Sequence, residues 1–277
     1  MEASRSDFSD AAIGEIIQIA QQVHGFDFTE YAKASLKRRI IRVGQLKNMN
    51  FYDLKHALVN DQQFFKFFLE EITVNVTEMF RDPLHYLSLK EKVLPYLASY
   101  PQIKIWSAGC STGEEAYSLN ILIQDANLKS KTFIYGTDVN EEVIKTARKG
   151  IYSLEKIKGY AENYRTTTLS GSLTDQFTMM YGAAAVRADL KQNTFFSTHN
   201  LVADGVFNEF QLITCRNVFI YFEPPLQEKV LRLFYKSLCP LGFLWLGSKE
   251  IIRSHFFKER FRVVDAKHNI YQKINLL

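Results

Sequence analysis

"KIWSAGCSTGEEAYS", residues 104–118, is the stretch that decides how this chain folds. An apolar run enters a loop of small residues and leaves it as a helical pattern. Gly109, Ser111 and Gly113 then stand at the end of the first strand of an open sheet, where such folds bind ligands. Glycines let the backbone come close to a ligand. The spacing is not GxGxxG, and the helix opens with Glu114 and Glu115. Two carboxylates would repel a pyrophosphate. They suit a ligand that carries positive charge and no phosphate. A local reading stays open beside this one. Ser111 to Glu114 and Thr112 to Glu115 both match the capping-box spacing, and acids favour a helix start by roughly 0.3–1 kcal/mol each.

Outward from the loop the pattern is α/β. "IKIWSA", "TFIYGTD", "FQLITCRN" and "GFLWLGS" are short β-rich runs, with helical segments such as "NEEVIKTARKG" and "PPLQEKVLRLFYKSL" between some of them. Strands alternating with helices predict a mostly parallel sheet covered on both faces. "TFFSTHN", residues 194–200, adds a further strand. "FRVVDA" and "HNIYQKI" lie almost end to end, too close for a crossover, and predict a closing antiparallel hairpin. Between residues 152 and 193 a helix, "LEKIKGYAENY", precedes "FTMMYGAAAVRADLK", which reads as two or three short antiparallel strands turning near Gly182.

The second strand ends in Asp138, placed to bind both hydroxyls of a ribose, although alone it could be a turn or cap residue. The small-residue turn, the acidic helix entry and this acid together favour S-adenosylmethionine over NAD or ATP. That cofactor has an ammonium group, a sulfonium centre and no phosphate. Cys110 reads as a small filler, since nothing supplies it with a base.

The first ~80 residues read as helices. In "DFTEYAKASLKRRIIRVG", Asp27 and Glu30 fit a capping box and Gly44 a stop. "FYDLKHALVN" and "DQQFFKFFLEEI" repeat apolar residues every three or four positions. Asp82 would cap a helix with Pro83 at its first position. The expected division is a helical domain and linker, 1–82, followed by a cofactor-binding domain, 83–277, with 152–193 inserted as a β-subdomain.

The 277 residues are 47% hydrophobic, enough for one large domain or two modest ones. A net charge of +4 permits an acidic partner without demanding nucleic acid. No apolar run is as long as a membrane span, and the start, "MEASRSDFSD", is too polar for a signal peptide. Three cysteines without a CxxC pair fit a reducing, cytoplasmic setting. Six scattered histidines predict no metal site.

"NVTEMFR", "WSAGCSTGEEAYS", "GTDVNEEVIKTARKGIY" and "TCRNVFIYF" occur in that order. With the helical start, they resemble the CheR family of chemotaxis receptor methyltransferases over nearly the whole chain. The resemblance implies a class I methyltransferase fold with an N-terminal helical domain and an inserted β-subdomain. It implies methyl transfer from S-adenosylmethionine to receptor glutamates, giving methyl esters and S-adenosylhomocysteine. By matching position, Asn75, Thr77 and Arg81 would lie across the cofactor cleft. Glu115, Asp138, Asn200, Leu201, Arg216 and Asn217 would also contact the cofactor, as the reading of the turn gives for Gly109. Arg81 and Tyr221 are the catalytic candidates. Each has a plainer alternative: Arg81 in a helix-start ion pair with Asp82, Tyr221 packing an edge, Asn75 and Asn217 in turns.

Lys33 and Lys37, and Arg38 and Arg42, stand one helical turn apart, a basic face that could dock Glu-rich receptor helices or simply be solvated. The β-subdomain offers an edge that could grip a receptor C-terminal peptide. A monomer with no membrane insertion and no nucleic-acid partner is expected. Two rival functions share the fold. One is a nucleic-acid methyltransferase, against which the Pro-Pro pair of "CRNVFIYFEPP" comes too late. The other is a non-catalytic, cofactor-binding signalling protein.

Overall fold

The computed structural model describes residues 8–274, so the first seven residues of the polar start lie outside it. The chain divides into two compact units. One runs to Asn75 and takes in Ile220–Gln227; the other comprises Val76–Phe219 and Glu228 onward. The 82/83 boundary expected from sequence therefore falls inside the second unit.

The described residues of the first unit up to Asn75 form four helices: α1 (Asp10–His24), α2 (Lys33–Lys47), α3 (Phe51–Asn60) and α4 (Gln62–Ile72). Their apolar stripes meet in a core that includes Ile16, Ile40, Leu54, Leu58 and Phe68, all 1% exposed or less. Ser9 caps α1, Asp61 caps α4, and Asn50 and Asp53 form a reciprocal box at α3. The ends of α2 differ from expectation. Asp27 accepts from the Thr29 backbone and hydroxyl in a tight turn, and the helix begins only at Lys33. Gly44 does not end it. It is buried inside α2, and a Cβ there would meet the Phe8 ring at 2.9 Å, so the glycine serves packing. Segment 220–223 pairs with this unit: Tyr31 bridges Phe222, and Ala32 donates to the Tyr221 carbonyl at 2.9 Å.

The second unit opens with α5 (Pro83–Lys92) and α6 (Leu94–Leu97). There follow β1 (Ile103–Ala108), α7 (Glu114–Asp125), β2 (Thr132–Asp138), α8 (Glu141–Lys149), β3 (Ile151–Ser153) and α9 (Leu154–Thr166). Next come β4 (Phe177–Met180), β5 (Ala183–Val186), α10 (Ala188–Lys191), β6 (Thr194–Thr198) and β7 (Phe210–Cys215). α11 (Pro224–Ser237), which belongs to this unit from Glu228 on, β8 (Leu238–Leu246), α12 (His255–Arg260), β9 (Phe261–Asp265) and β10 (Ile270–Lys273) follow. The main sheet has the order β6-β2-β1-β7-β8-β10-β9. β6, β2, β1, β7 and β8 are mutually parallel, and β10 and β9 form the antiparallel closure. This is the class I methyltransferase arrangement. The expected fold, α/β with a mostly parallel sheet and a C-terminal hairpin, is what the chain adopts.

The insertion is a three-stranded antiparallel sheet, β3-β5-β4, turning at Gly182 with φ +72°. Tyr152, Phe177, Ala184 and Val186 join the main core, while Met180 and Tyr181 are exposed. The strand order reverses between β2 and β7 on either side of β1, which locates the ligand crevice at the ends of these strands. Among the described residues no helix is long and apolar enough to cross a membrane.

Candidate active site

The loop after β1 is drawn against the strand ends by its backbone: Gly109 and Cys110 both donate to the Thr137 carbonyl, at 2.8 and 2.9 Å. Gly109 has φ +74°, and a Cβ there would sit 2.5 Å from Val218 Cγ2. Only glycine fits both the backbone and the space. α7 then starts from Gly113, φ +93°, with no side-chain cap. Neither capping box exists. Thr112 instead donates its hydroxyl to Glu114 at 2.6 Å.

The two acids of the loop do different work. Glu114 is fully buried and turns toward the insertion, taking bonds from Thr112 and from Tyr160 Oη at 2.9 Å, with Lys156 Nζ at 3.5 Å. Burial raises its pKa, against the pull of these donors. It ties the loop to α9 and does not supply open negative charge to a ligand, as the sequence pattern suggested. Glu115 reaches across the strand ends. Its Oε1 accepts from Ser107 at 2.8 Å and Thr214 at 2.6 Å, residues paired in register on β1 and β7.

Arg216, directly after β7, completes that group. Its side chain is 2% exposed. Nη1 lies 3.4 Å from Glu115 Oε2; Nη2 donates to the Arg81 carbonyl at 2.8 Å and to Asp82 Oδ2 at 3.0 Å. Asp82 has φ +57° and makes no cap bond to α5, so its expected capping role is replaced by this ion pair; Pro83 does open the helix. Arg81 makes no pair with Asp82 but donates to the Val76 carbonyl at 3.2 Å. Phe80 and Asp82 both hold left-handed backbone, a strained entry that the Arg216 bonds and the Phe80 N–H to Ser118 bond at 3.0 Å help to maintain.

Asp138 ends β2, buried, with its two oxygens accepting from the backbone N–H of Ser111 at 2.9 Å and of Asn140 at 3.0 Å. Burial nonetheless raises its pKa. Around it stand two buried polar atoms without a partner among the described residues, Ser111 Oγ and Asn140 Nδ2. Asn200 follows His199, whose N–H donates to the Asp138 carbonyl at 3.0 Å. Asn200 Oδ1 holds the Val202 N–H, and Leu201 lies beside it, half-buried. Asn217 takes φ +63°.

The second unit thus gathers Arg81, Gly109, Glu115, Asp138, Asn200, Leu201, Arg216 and Asn217 at the strand ends, with Thr77 on the segment leading to them. Asn75 and Tyr221 belong to the first unit. There Asn75 Nδ2 reaches the Glu70 carbonyl at 3.4 Å, and the Arg39 guanidinium lies 5.9 Å from the Tyr221 ring. The predicted docking residues Lys33, Lys37, Arg38 and Arg42 are all on α2. Lys37 is paired with Asp10 at 2.6 Å and Arg42 with Glu71 at 3.2 Å. Sequence reasoning missed Asn140, Asp82 as the partner of Arg216, and Glu250, a buried acid bonded to the backbone after β7. Only Asn140, in "DVN" two residues after Asp138, carried a signal that could have found it.

These groups fit S-adenosylmethionine. A buried acid and two unpartnered polar atoms suit a ribose, a tight glycine turn admits the ligand, and the helix start that would grip a phosphate carries a carboxylate. Cys110 is buried in the core, and burial holds its thiol well above the ordinary range, as a filler requires.

Residues 75–270 match the family described as "CheR methyltransferase, SAM binding domain". The Pseudomonas putida protein named "Putative methyltransferase Cher3" is 40% identical over 96% of this chain and 97% of its own length. The "Chemotaxis protein methyltransferase" of Salmonella typhimurium is 30% identical over 89% of this chain and 85% of its own. The Escherichia coli protein of the same name is 29% identical over 89% and 86%.

Proposed function

Because this chain belongs to the CheR methyltransferase family, a group of S-adenosylmethionine-dependent enzymes, we propose that it methylates glutamate side chains of chemoreceptors as a protein-glutamate O-methyltransferase. The observation that carries the receptor reading is the pair of chemotaxis methyltransferases aligned along most of the chain. The chemistry of the crevice agrees with it. A glutamate substrate is already ionised at neutral pH, its ordinary pKa being about 4.3, so no general base is required. Burial, with the charge of Arg216, lowers the His85 imidazole to about 4, which makes it a weak base.

When bound, the cofactor would supply a methyl group on a sulfonium centre, open to attack at carbon by a carboxylate oxygen as the C–S bond breaks and S-adenosylhomocysteine leaves. Asp138, with Ser111 and Asn140, would hold the ribose, and Asn200 and Leu201 would lie beside the base. Gly109 would leave room for the donor, and Glu115, Arg216 and Asn217 would help to hold it. Arg81 would orient the acceptor carboxylate, and Tyr221 is the second catalytic candidate that the family resemblance implies. Among the described residues Arg81 donates to one carbonyl, that of Val76, which leaves its guanidinium able to bind a carboxylate loosely. A tight bidentate pair would hold the nucleophile but blunt it. Rate enhancement would come from alignment and from excluding water.

Docking of receptor helices would fall to α2, and the open edge of β4 could add a tethering peptide as a further strand. The test incubates the protein, labelled methyl donor and membranes carrying its own receptors. Label released from receptor as a volatile product by base establishes the ester. Cofactor binding without receptor labelling, or label stable to base, overturns the proposal.

A further inference from the structure

Glu250 is 2% exposed, lies four residues beyond β8, and takes no part in the steps above. Its Oε1 accepts the backbone N–H of Val218 and of Phe219, both at 2.8 Å, and its Oε2 accepts that of Gly247 at 2.5 Å. Burial raises its pKa, against the pull of these N–H groups. Two successive N–H groups, of Val218 and Phe219, converge on one oxygen, and they follow Asn217, whose φ is +63°. Such a run is a nest, the backbone concavity in which phosphate-binding loops hold an anion. Here the anion is a side chain of the same protein. The site is built for it: a Cβ at Gly247 would lie 2.8 Å from the carboxylate and 2.9 Å from Asn217 N. The nest also touches the donor loop, because Val218 packs against Gly109.

We propose that Glu250 is the residue that sets the charge preference of the cofactor crevice. Its carboxylate fills the nest that loop 217–219 would otherwise offer to a phosphate, and so holds Arg216 and Asn217 for a cationic nucleoside. In a phosphate-binding fold the ligand would bring this charge; here the protein carries it, and the ligand need not. Glu250 acts through the loop and is a positioning residue. The inference rests on S-adenosylmethionine as cofactor and is independent of the methyl acceptor.

Binding, read by calorimetry with S-adenosylmethionine and with inorganic pyrophosphate in the absence of any methyl acceptor, tests it apart from methyl transfer. The parent protein should bind the first and ignore the second. Glu250→Gln keeps the shape but turns an N–H₂ toward donors, and should weaken the nucleoside by about tenfold or more. Glu250→Ala should weaken it similarly, regain affinity with excess formate, which can enter the vacated nest, and bind pyrophosphate. Formate should do nothing for the glutamine variant. A folded Glu250→Gln that binds the nucleoside like the parent overturns the proposal, as does a folded alanine variant that formate leaves unchanged. Should the alanine variant not fold, the glutamine variant decides alone. A parent protein that fails to bind the nucleoside refutes the cofactor assignment instead.

Discussion

The Arg216 guanidinium stacks on Trp245, its central carbon 4.4 Å from the indole centroid. The same group is shared by Asp82, Glu115 and the Arg81 carbonyl. A planar cation with a fork of donors can do both at once; an ammonium cannot. Arg216→Lys should therefore behave as a broken buried pair, destabilising by about 3 kcal/mol in urea unfolding. Stability within a few tenths of the parent would show that the stack and the fork are dispensable.

Gly109→Ala should destabilise by roughly 1–2 kcal/mol from its left-handed backbone alone, with a further loss from the contact with Val218 Cγ2. Adding Val218→Ala should recover the second part and leave the first. A double-mutant cycle of melting temperatures separates them, and strict additivity would remove the contact from the account.

Arg81→Ala should lower turnover by about 100-fold, the scale of a misaligned reactant, with the affinity for S-adenosylhomocysteine changed far less. Tyr221→Phe should cost much less than that. Single-turnover rates with receptor membranes make the comparison, and an unchanged rate in Arg81→Ala removes this residue from the mechanism.

The cluster beneath Arg216 makes stability depend on pH in two windows. Burial, reinforced by the charge of Arg216, lowers the His85 imidazole to about 4. An unfolded histidine takes its proton near pH 6.5, so from about 6.5 down to about 4 the unfolded state gains a proton that the folded state refuses, and stability falls. Asp265 behaves differently. Burial would raise it, but Lys92, Ser88 and His268 together hold it well below the usual carboxylate range. Its contribution persists above about pH 4 and is lost only below that. The melting temperature should fall between pH 7 and 5, and His85→Phe should flatten that slope. An equal slope in the variant would place the titrating group elsewhere.

On α2, Lys37 and Arg42 are engaged by Asp10 and Glu71, while Lys33 and Arg38 are exposed and bonded to no carboxylate among the described residues. Reversing Lys33 and Arg38 together to Glu should slow receptor methylation several-fold at low salt, with the gap closing as salt screens it. Reversing Lys37 and Arg42 should do less. Cofactor affinity should not move in either. Equal effects of the two pairs would point to fold disruption in place of docking.

Sequence alone determined the sheet, the hairpin, the insertion and the cofactor turn. Each rests on local periodicity or on a glycine that no other residue could replace, and such signals lie within a few positions of one another. Tertiary structure alone decided the partners of the charged groups. Asp82 looked like a cap because its neighbours on the chain said so, and became the partner of Arg216, which lies 134 positions away. Glu114 turned into the core toward Tyr160, 46 positions on, and Glu250 entered a nest 31 to 33 residues before it in the chain. A buried charge takes whichever donors the fold brings within about 3 Å, because leaving it unpaired costs more than any local cap returns.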